Sequence, residues 1–319
     1  KAPVTTVPVK LASKPPPLKI DFCIFTGSNN FIAPRSSMKK HILQLNNKLL
    51  NADNAPHCAL HVLLGSESLS LMAAHSDGNL LALETWEYSS PNKPFEQIEQ
   101  EPRRIFQETP IFKLPFQHTY AALFHPNTTI VPRRLFQHGA LHAYFQLMLK
   151  PADFVFGYDE LPEFDAYLVY ATEKSQGALF SRFFPEAKIR HLAVPMLRYF
   201  RSLAGLESHI IFVNLRHHVA QIVVFERQNL LLYNSFQFTT ATDLLYYVLL
   251  AYDQFRLSPK EIPLTLSGNI IKESELYQNL YRFIREIRFA TSPVEYKYPA
   301  DMAPLPGHYP LDLICLNTP

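Results

Sequence analysis

Two runs of three short strand-like segments, one in each half of the chain, constrain the fold more than any other feature. Short polar turns separate the segments within a run, a pattern typical of an antiparallel β-meander. The first run comprises residues 58–64, 68–74 and 80–88, and the second comprises residues 209–214, 219–226 and 230–236. Helical and further strand patterns follow both runs. The sequence therefore predicts a two-lobed α/β structure built on one duplicated plan, with mixed sheets and flanking helices.

One predicted helix stands out because it is apolar on every face. It follows the capping-box-like sequence Thr240-Ala241-Thr242-Asp243, and residues 244–252 are almost wholly apolar. Such a helix must be covered on both sides, so we expect it between its own sheet and a neighbouring lobe or partner. The predicted helices are residues 41–50, 103–108, 135–149, 175–184, 192–203, 243–256 and 273–287.

Glycine is scarce and scattered, which excludes the ordinary phosphate-binding loops. The chain has nine glycines, and no two of them lie closer than thirteen positions. Loops that cradle a phosphate need clustered glycines so that backbone N–H groups can approach it. The sequence contains neither a G-x-G-x-x-G motif nor a Walker A motif. Common nucleotide-binding motifs are therefore absent.

Composition narrows the class of protein further. Of the 319 residues, 47% are hydrophobic and 18% are charged, which is enough apolar material for a packed core. The net charge of +2 gives no electrostatic argument for nucleic acid or for an anionic membrane. Three widely spaced cysteines fit a reducing compartment, and no apolar stretch approaches the roughly 20 residues of a membrane-spanning helix. We expect a cytoplasmic protein without a membrane span and without a nucleic-acid partner.

The first residues are set apart from the rest by their composition. The chain begins with Lys1 and is rich in proline over residues 3–17. Our hypothesis is that the natural start is Met38 and that residues 1–37 are an upstream extension of the reading frame. An authentic N-terminal tail is the alternative. We predict that residues 1–55 form an N-terminal extension to the folded part.

Six short segments, taken in order, carry a resemblance to a known family. They are residues 129–136 (TIVPRRLF), 183–185 (FFP), 231–236 (LLYNSF), 240–247 (TATDLLYY), 266–269 (LSGN) and 308–313 (HYPLDL). The chain from residue 58 to about residue 315 resembles a Bacteroidetes family of unknown function with an actin-like ATPase (sugar kinase/Hsp70/actin) fold, a duplicated ribonuclease H-like fold. The resemblance implies a first lobe over residues 56–205 and a second over residues 206–319. The same fold occurs in cytoplasmic scaffold components of pilus assembly and type II secretion.

Active members of the actin-like superfamily hold phosphate on a hairpin that begins with an acidic residue and a glycine. The matching hairpin here contains Gly65 and Ser66, but Leu63 stands where the metal-orienting aspartate belongs. The first phosphate signature is therefore incomplete.

The two other signatures of the superfamily are also degenerate. The second is an acidic residue followed by paired glycines. Here the acidic residue is the uncharged Asn214, and the glycines are replaced by Leu215 and Arg216, whose side chains would block close approach of a phosphate. The third, a glycine pair beside the adenosine, is reduced to Gly268 followed by Asn269. The resemblance thus implies a vestigial cleft of Gly65, Ser66, Asn214, Gly268 and Asn269, with no catalytic residue, no metal ion and no cofactor.

Other reactive side chains do not form a convincing site. His138 and His142 are spaced for one helix face, but no third metal ligand lies nearby, so we expect a solvated or packed pair. The adjacent His217 and His218 are expected to face solvent in a hairpin turn. The acidic residues Asp159, Glu160, Glu163 and Asp165 are expected in an exposed loop.

Two functions of different classes follow from these observations. The first is a catalytically silent scaffold or adaptor of actin-like fold that binds an unidentified protein partner and no nucleotide. The alternative is an enzyme that binds nucleotide at a degenerate phosphate site through Ser66, Asn214 and Asn269. A role beside nucleic-acid machinery is disfavoured by the near-neutral charge.

Overall fold

The computed structural model describes residues 40–46, 50–88, 99–147, 149, 153–205, 207–298 and 305–317. Its strands are β1 (Lys40–Asn46), β2 (Cys58–Gly65), β3 (Ser68–His75), β4 (Leu80–Glu87), β5 (His118–Phe124), β6 (Thr128–Pro132), β7 (Phe154–Leu161), β8 (Ala166–Glu173), β9 (Arg190–His191), β10 (Ile210–Arg216), β11 (Val219–Glu226), β12 (Asn229–Gln237), β13 (Leu264–Gly268) and β14 (Ile287–Phe289). Its α-helices are α1 (Gln100–Glu108), α2 (Lys174–Phe183), α3 (Ala193–Ala204), α4 (Ala241–Gln254), α5 (Glu275–Tyr281) and α6 (Leu311–Cys315). The hypotheses about residues 1–37 lie outside the described residues.

The two larger sheets repeat one strand order. In the first sheet β2, β3 and β4 form an antiparallel meander, and β5 and β9 continue the sheet in parallel beyond β2. In the second sheet β10, β11 and β12 form the meander, and β13 and β14 continue in parallel beyond β10. The first sheet carries one addition, the antiparallel strand β1 on the outer edge of β4. The predicted duplication is confirmed, whereas the division between residues 205 and 206 stays a prediction.

A third, smaller sheet lies in the chain between β5 and β9. Its order is β6-β8-β7, and both of its pairings are antiparallel. One face of this sheet joins the central core through Ile130 and Leu168, and the other carries a separate cluster around Phe145 and Val169.

The helices and sheets stack in layers because the central strands are apolar on both faces. In β10, Phe212 faces the core between the two larger sheets, and its neighbour Val213 faces the opposite, outer core. The outer face of the first sheet is covered by α1 and α2, and that of the second by α4 and α5. Helices α3 and α6 contribute to the core between the sheets.

The helix covered on most sides is α3, not α4. Eight of the twelve residues of α3 are buried, and the ring of Phe200 stacks on that of Phe212 at 4.6 Å. In α4, Val248 is fully buried, but Tyr246 on the opposite face is 58% exposed. Within the described chain no neighbouring lobe covers the outer side of α4, so that form of the prediction is wrong. Covering by a partner stays a prediction.

Three other sequence predictions of helix are wrong in extent or type. Residues 40–46 form β1 instead of a helix. The edge of β4 offers hydrogen-bond partners to their backbone, whereas a short helix without tertiary packing is only marginally stable. The helix predicted over residues 135–149 is replaced by 3₁₀ turns interrupted at the non-helical Ala140. The helix predicted over residues 273–287 ends earlier, as α5, because Ile287 pairs with β13 in parallel.

No helix within the described residues has both the length and the apolar character needed to cross a membrane.

The layered arrangement predicts unequal effects for one substitution made in two helices. Leu197→Ala in α3 removes a fully buried side chain and should lower the free energy of unfolding by about 2–5 kcal/mol. Leu250→Ala on the half-buried outer side of α4 is the matched control and should lower it by less than about 1 kcal/mol. Urea unfolding of both variants measures the difference. Equal losses would contradict the central position of α3.

Candidate functional site

The guanidinium of Arg216 occupies the cleft between the two larger sheets. Arg216 ends β10, and its side chain crosses to the first sheet, where Nη2 donates to the hydroxyls of Ser68 at 3.1 Å and Ser70 at 3.0 Å. Nη1 donates to Oδ2 of Asp312 at 2.6 Å. The side chains of Arg216 and Asp312 are only 5% and 8% exposed. One buried cation therefore joins β10, β3 and the C-terminal helix α6.

Helix α6 is held against the first sheet by a buried histidine. Nδ1 of His61 in β2 donates to the backbone carbonyl of Leu313 at 2.8 Å. Burial lowers the pKa of His61 to about 4, because it disfavours the charged ring more than the carbonyl contact favours it. The neutral His61 ring therefore holds Leu313, the residue that follows Asp312, in place.

A second polar side-chain contact, between His217 and Glu87, crosses the cleft beside the first. His217 has a φ of 50°, in the left-handed region, and this conformation turns the chain directly after β10. Its Nδ1 lies 2.5 Å from Oε1 of Glu87 in β4, and its side chain is 8% exposed. The expectation that His217 faces solvent is therefore wrong, although His218 is exposed. Nε2 of His217 and Nε of Arg216 are buried without a protein hydrogen-bond partner.

One rung of the second sheet is polar across four strands, and it is buried in three of them. The register places Asn214 opposite Gln221 on one side and Ser267 on the other, and Gln221 opposite Ser235. Asn214 Oδ1 accepts from Ser267 Oγ, and Asn214 Nδ2 donates to Gln221 Oε1, both at 2.8 Å. Gln221 Nε2 continues the chain to the hydroxyl of Tyr233 at 2.9 Å. Both the oxygen and the nitrogen of the Asn214 amide are therefore hydrogen-bonded within the sheet.

The five residues of the predicted cleft fall into two groups. Gly65 and Ser66 border a small cavity shared with Arg216 and His217, and Asn269 borders a second cavity shared with the same two residues. The other two, Asn214 and Gly268, lie behind the cleft wall within the second sheet. The structure thus gathers three of the five around Arg216.

Gly268 is explained by close backbone packing. Its φ is 81°, and a Cβ on this residue would lie 2.1 Å from the carbonyl oxygen of Leu215. The next residue, Asn269, donates its backbone N–H to the same oxygen at 2.7 Å. These contacts fasten β13 to the end of β10.

The cleft does not fit a magnesium–nucleotide complex. The two cavities beside Arg216 have volumes of about 20 and 10 Å³, roughly the space of one water molecule each. Two of the nearby carboxylates, Asp312 and Glu87, are engaged by Arg216 and His217. Among the described residues, no three His, Cys, Asp or Glu side chains are grouped to hold a metal ion. The polar groups in this cleft therefore bind one another and form a closed contact between the two sheets.

The histidine pair and the acidic group noted in the sequence lie away from the Arg216 cleft residues described above, in 3₁₀ turns and around strand β7. His138 and His142 are both exposed, and they lie in 3₁₀ turns instead of on one α-helical face. The acidic group is not a single exposed loop, because Asp159 and Glu160 belong to β7. Asp159 accepts the backbone N–H of His191 at 3.1 Å, and burial raises its pKa.

Sequence reasoning identified Arg216 as an obstacle to phosphate but missed its partner. Asp312 lies in an otherwise apolar run, Leu311 to Cys315, which is buried throughout. A lone carboxylate within such a run is a signal for a buried cationic partner, since an unpaired buried charge is strongly disfavoured. The partner lies 96 positions earlier in the chain, so spacing alone did not reveal it.

Comparison with known proteins agrees with this architecture. A family model described as "Protein of unknown function (DUF3822)" matches residues 46–287. A Bacteroides thetaiotaomicron protein with actin-like ATPase fold and unknown function superposes with a TM-score of 0.64 at 18% identity, covering 76% of this chain and 94% of that one. The predicted actin-like ATPase fold is confirmed.

Weaker similarities were found to two further solved structures. A PilM–PilN type IV pilus biogenesis complex gives a TM-score of 0.49 at 12% identity, covering 81% of this chain and 97% of that one. Ethanolamine utilization protein EutJ from Carboxydothermus hydrogenoformans gives 0.43 at 10% identity, covering 82% and 87%. No curated protein matches the chain.

The buried ion pair predicts a strongly non-additive mutant cycle. Arg216→Met or Asp312→Leu alone leaves an unpaired buried charge and should lower the free energy of unfolding by about 3–5 kcal/mol. The double variant should lose less than either single variant. Arg288→Met is the control, since Arg288 pairs with Glu207 and Glu286 at 41% exposure and should contribute at most about 1 kcal/mol. Additive losses in urea unfolding would contradict a direct buried pair.

Buried histidines predict that acid destabilises the fold. Burial also lowers the pKa of His125 to about 3 and that of His191 to about 4. The unfolded chain, with histidine pKa values near 6.5, binds protons that the folded chain excludes. The free energy of unfolding should therefore fall as the pH drops from about 6.5 toward about 4. In His61→Gln this slope should decrease by up to about 1.4 kcal/mol per pH unit in urea unfolding; an unchanged slope would contradict a neutral buried His61.

Proposed function

The chain belongs to the DUF3822 family of unknown function, and we propose that it is a catalytically silent protein of actin-like fold that acts as a scaffold or adaptor. In this proposal the cleft no longer holds a nucleotide, and the protein works through contacts with a protein partner. The proposal also includes a cytoplasmic location and no nucleic-acid ligand.

The position of Arg216 carries this proposal. The resemblance places the second phosphate-binding turn at the end of β10, where glycines would leave room for phosphate. Here the side chain of Arg216 fills that room and is bound to Asp312, Ser68 and Ser70. To admit a triphosphate, Arg216 would have to leave a buried carboxylate unpaired, which is energetically unfavourable.

The replacement of nucleotide contacts by side-chain contacts supports the scaffold function. In an actin-like fold of active type, a bound nucleotide contacts both lobes. In this chain Arg216 and His217 of the second sheet reach Asp312 and Glu87 directly. The two sheets are thus joined without a ligand, as a constitutive scaffold requires.

One observation favours the alternative, a nucleotide-binding enzyme with a degenerate phosphate site. Nε of Arg216 and Nε2 of His217 are buried, lack protein partners and belong to residues that border the cavity beside Gly65 and Ser66. A water molecule would fit the space of about 10 Å³, whereas a phosphate group would require the turn to open. The alternative therefore depends on a rearrangement of this cleft.

Calorimetry with Mg·ATP separates the two functions. Titration of the purified chain with millimolar Mg·ATP should give no saturable heat, because the carboxylates that would hold Mg²⁺ and the space for phosphate are both missing. Asn214→Ala, which alters the polar rung behind the cleft, should behave in the same way. Saturable binding that weakens in Asn214→Ala would overturn the silent scaffold and favour the enzyme.

A further inference from the structure

Two side-chain nitrogens in the cleft are buried and lack a hydrogen-bond partner among the described residues. They are Nε of Arg216 and Nε2 of His217, in side chains that are 5% and 8% exposed. Buried polar groups in native proteins are nearly always hydrogen-bonded, either to the protein or to an ordered water molecule. Both residues border the cavity of about 10 Å³ beside Gly65 and Ser66, the Gly65 cavity.

The absence of a side chain at Gly65 keeps space beside the Arg216 nitrogen. A Cβ on Gly65 would lie 3.7 Å from Nε of Arg216 and 3.4 Å from Oγ of Ser68, so these two polar atoms flank the same point. The Ser68 hydroxyl accepts a hydrogen bond from Nη2 of Arg216 at 3.1 Å and still has its own hydrogen to donate. The Gly65 cavity is therefore bordered by an N–H donor and a hydroxyl group.

The contact of His217 with Glu87 determines what Nε2 of this ring can do. Nδ1 of His217 lies 2.5 Å from Oε1 of Glu87. An ionised carboxylate only accepts hydrogen bonds, so Nδ1 carries the hydrogen in this contact. In the neutral ring Nε2 then has a lone pair and is an acceptor. A group that bridges Arg216 and His217 must therefore accept one hydrogen bond and donate another.

We propose that the Gly65 cavity binds one water molecule, which accepts from Nε of Arg216 and donates to Nε2 of His217. Water both accepts and donates, and a volume of about 10 Å³ matches a single molecule. A cation would face the N–H group of Arg216. An anion would face the lone pair of His217, and the Arg216 charge is already matched by Asp312. The polarity and the size of the cavity thus both select water.

The bound water joins the two side-chain contacts of the cleft into one chain of hydrogen bonds. The chain runs from Glu87 in β4 through His217, the water and Arg216 to Asp312 in α6. Linked polar groups of this kind strengthen one another, so the two contacts stabilise the closed cleft as a unit. The water site goes beyond the proposed function and does not depend on it. It also assigns a partner to the two nitrogens that favour the nucleotide-binding alternative.

Gly65→Ala tests the site, because its methyl group would take the space of the water without a close contact. Gly65 does not have a positive φ, and at such positions alanine ordinarily stabilises a protein slightly. Here Gly65→Ala should instead raise the unfolding equilibrium constant about tenfold in urea unfolding of the full chain, since Arg216 and His217 lose their shared partner. Gly139→Ala, whose Cβ would meet nothing within 4 Å, is the matched control and should leave the constant unchanged or lower it.

Two spectroscopic measurements distinguish loss of the water from a general effect of the added methyl group. Oxygen-17 magnetic relaxation dispersion counts long-lived internal water molecules, and the wild-type chain should hold one more than Gly65→Ala. Nitrogen-15 NMR of the wild-type chain should show the His217 ring protonated on Nδ1 and unprotonated on Nε2 at neutral pH. Equal water counts in the two proteins, a His217 ring protonated on Nε2, or a Gly65→Ala variant as stable as the wild type would each overturn the proposal.

Discussion

The contact of Arg216 with Asp312 is the interaction on which the arrangement of the two larger sheets depends. It joins residues 96 positions apart and brings the last helix of the chain onto the cleft. Two serine hydroxyls of the first sheet satisfy the other side of the guanidinium. Because both charged groups are buried, neither Arg216 nor Asp312 can be withdrawn without leaving the other unpaired. The two larger sheets are thus joined through the protein's own side chains.

The duplicated plan explains which parts of the fold follow from local sequence. Both meanders were predictable because their strands are short, apolar and separated by turn residues such as Asp77-Gly78. The capping box at the start of α4 was also predictable, since Thr240 and Asp243 bind reciprocally within four residues. Strand β1 was not, because its conformation is imposed by the edge of β4, whose paired residues lie 36 to 47 positions later in the chain.

The candidate site likewise contains features that follow from local sequence and features that depend on distant contacts. Gly65, Ser66 and Asn269 could be placed near the cleft because each follows a recognisable strand, and the obstruction by Arg216 followed from its side chain. The pairing of His217 with Glu87 could not be predicted, because it needs the distance between two sheets. The burial of α3 in place of α4 had the same origin: periodicity shows that a helix is apolar but not which layers it meets.

The polar rung of the second sheet has a consequence for how its strands align. An apolar strand that slides by two residues keeps the same side chains on the same face, so hydrophobic patterning alone tolerates that slip. In this sheet such a slip would place Asn214 opposite Val219 or Val223 in place of Gln221 and would leave several buried amide and hydroxyl groups without partners. Asn214 and its hydrogen-bonded neighbours therefore select one strand alignment among those that apolar packing alone would accept, and they fix the register of the second sheet.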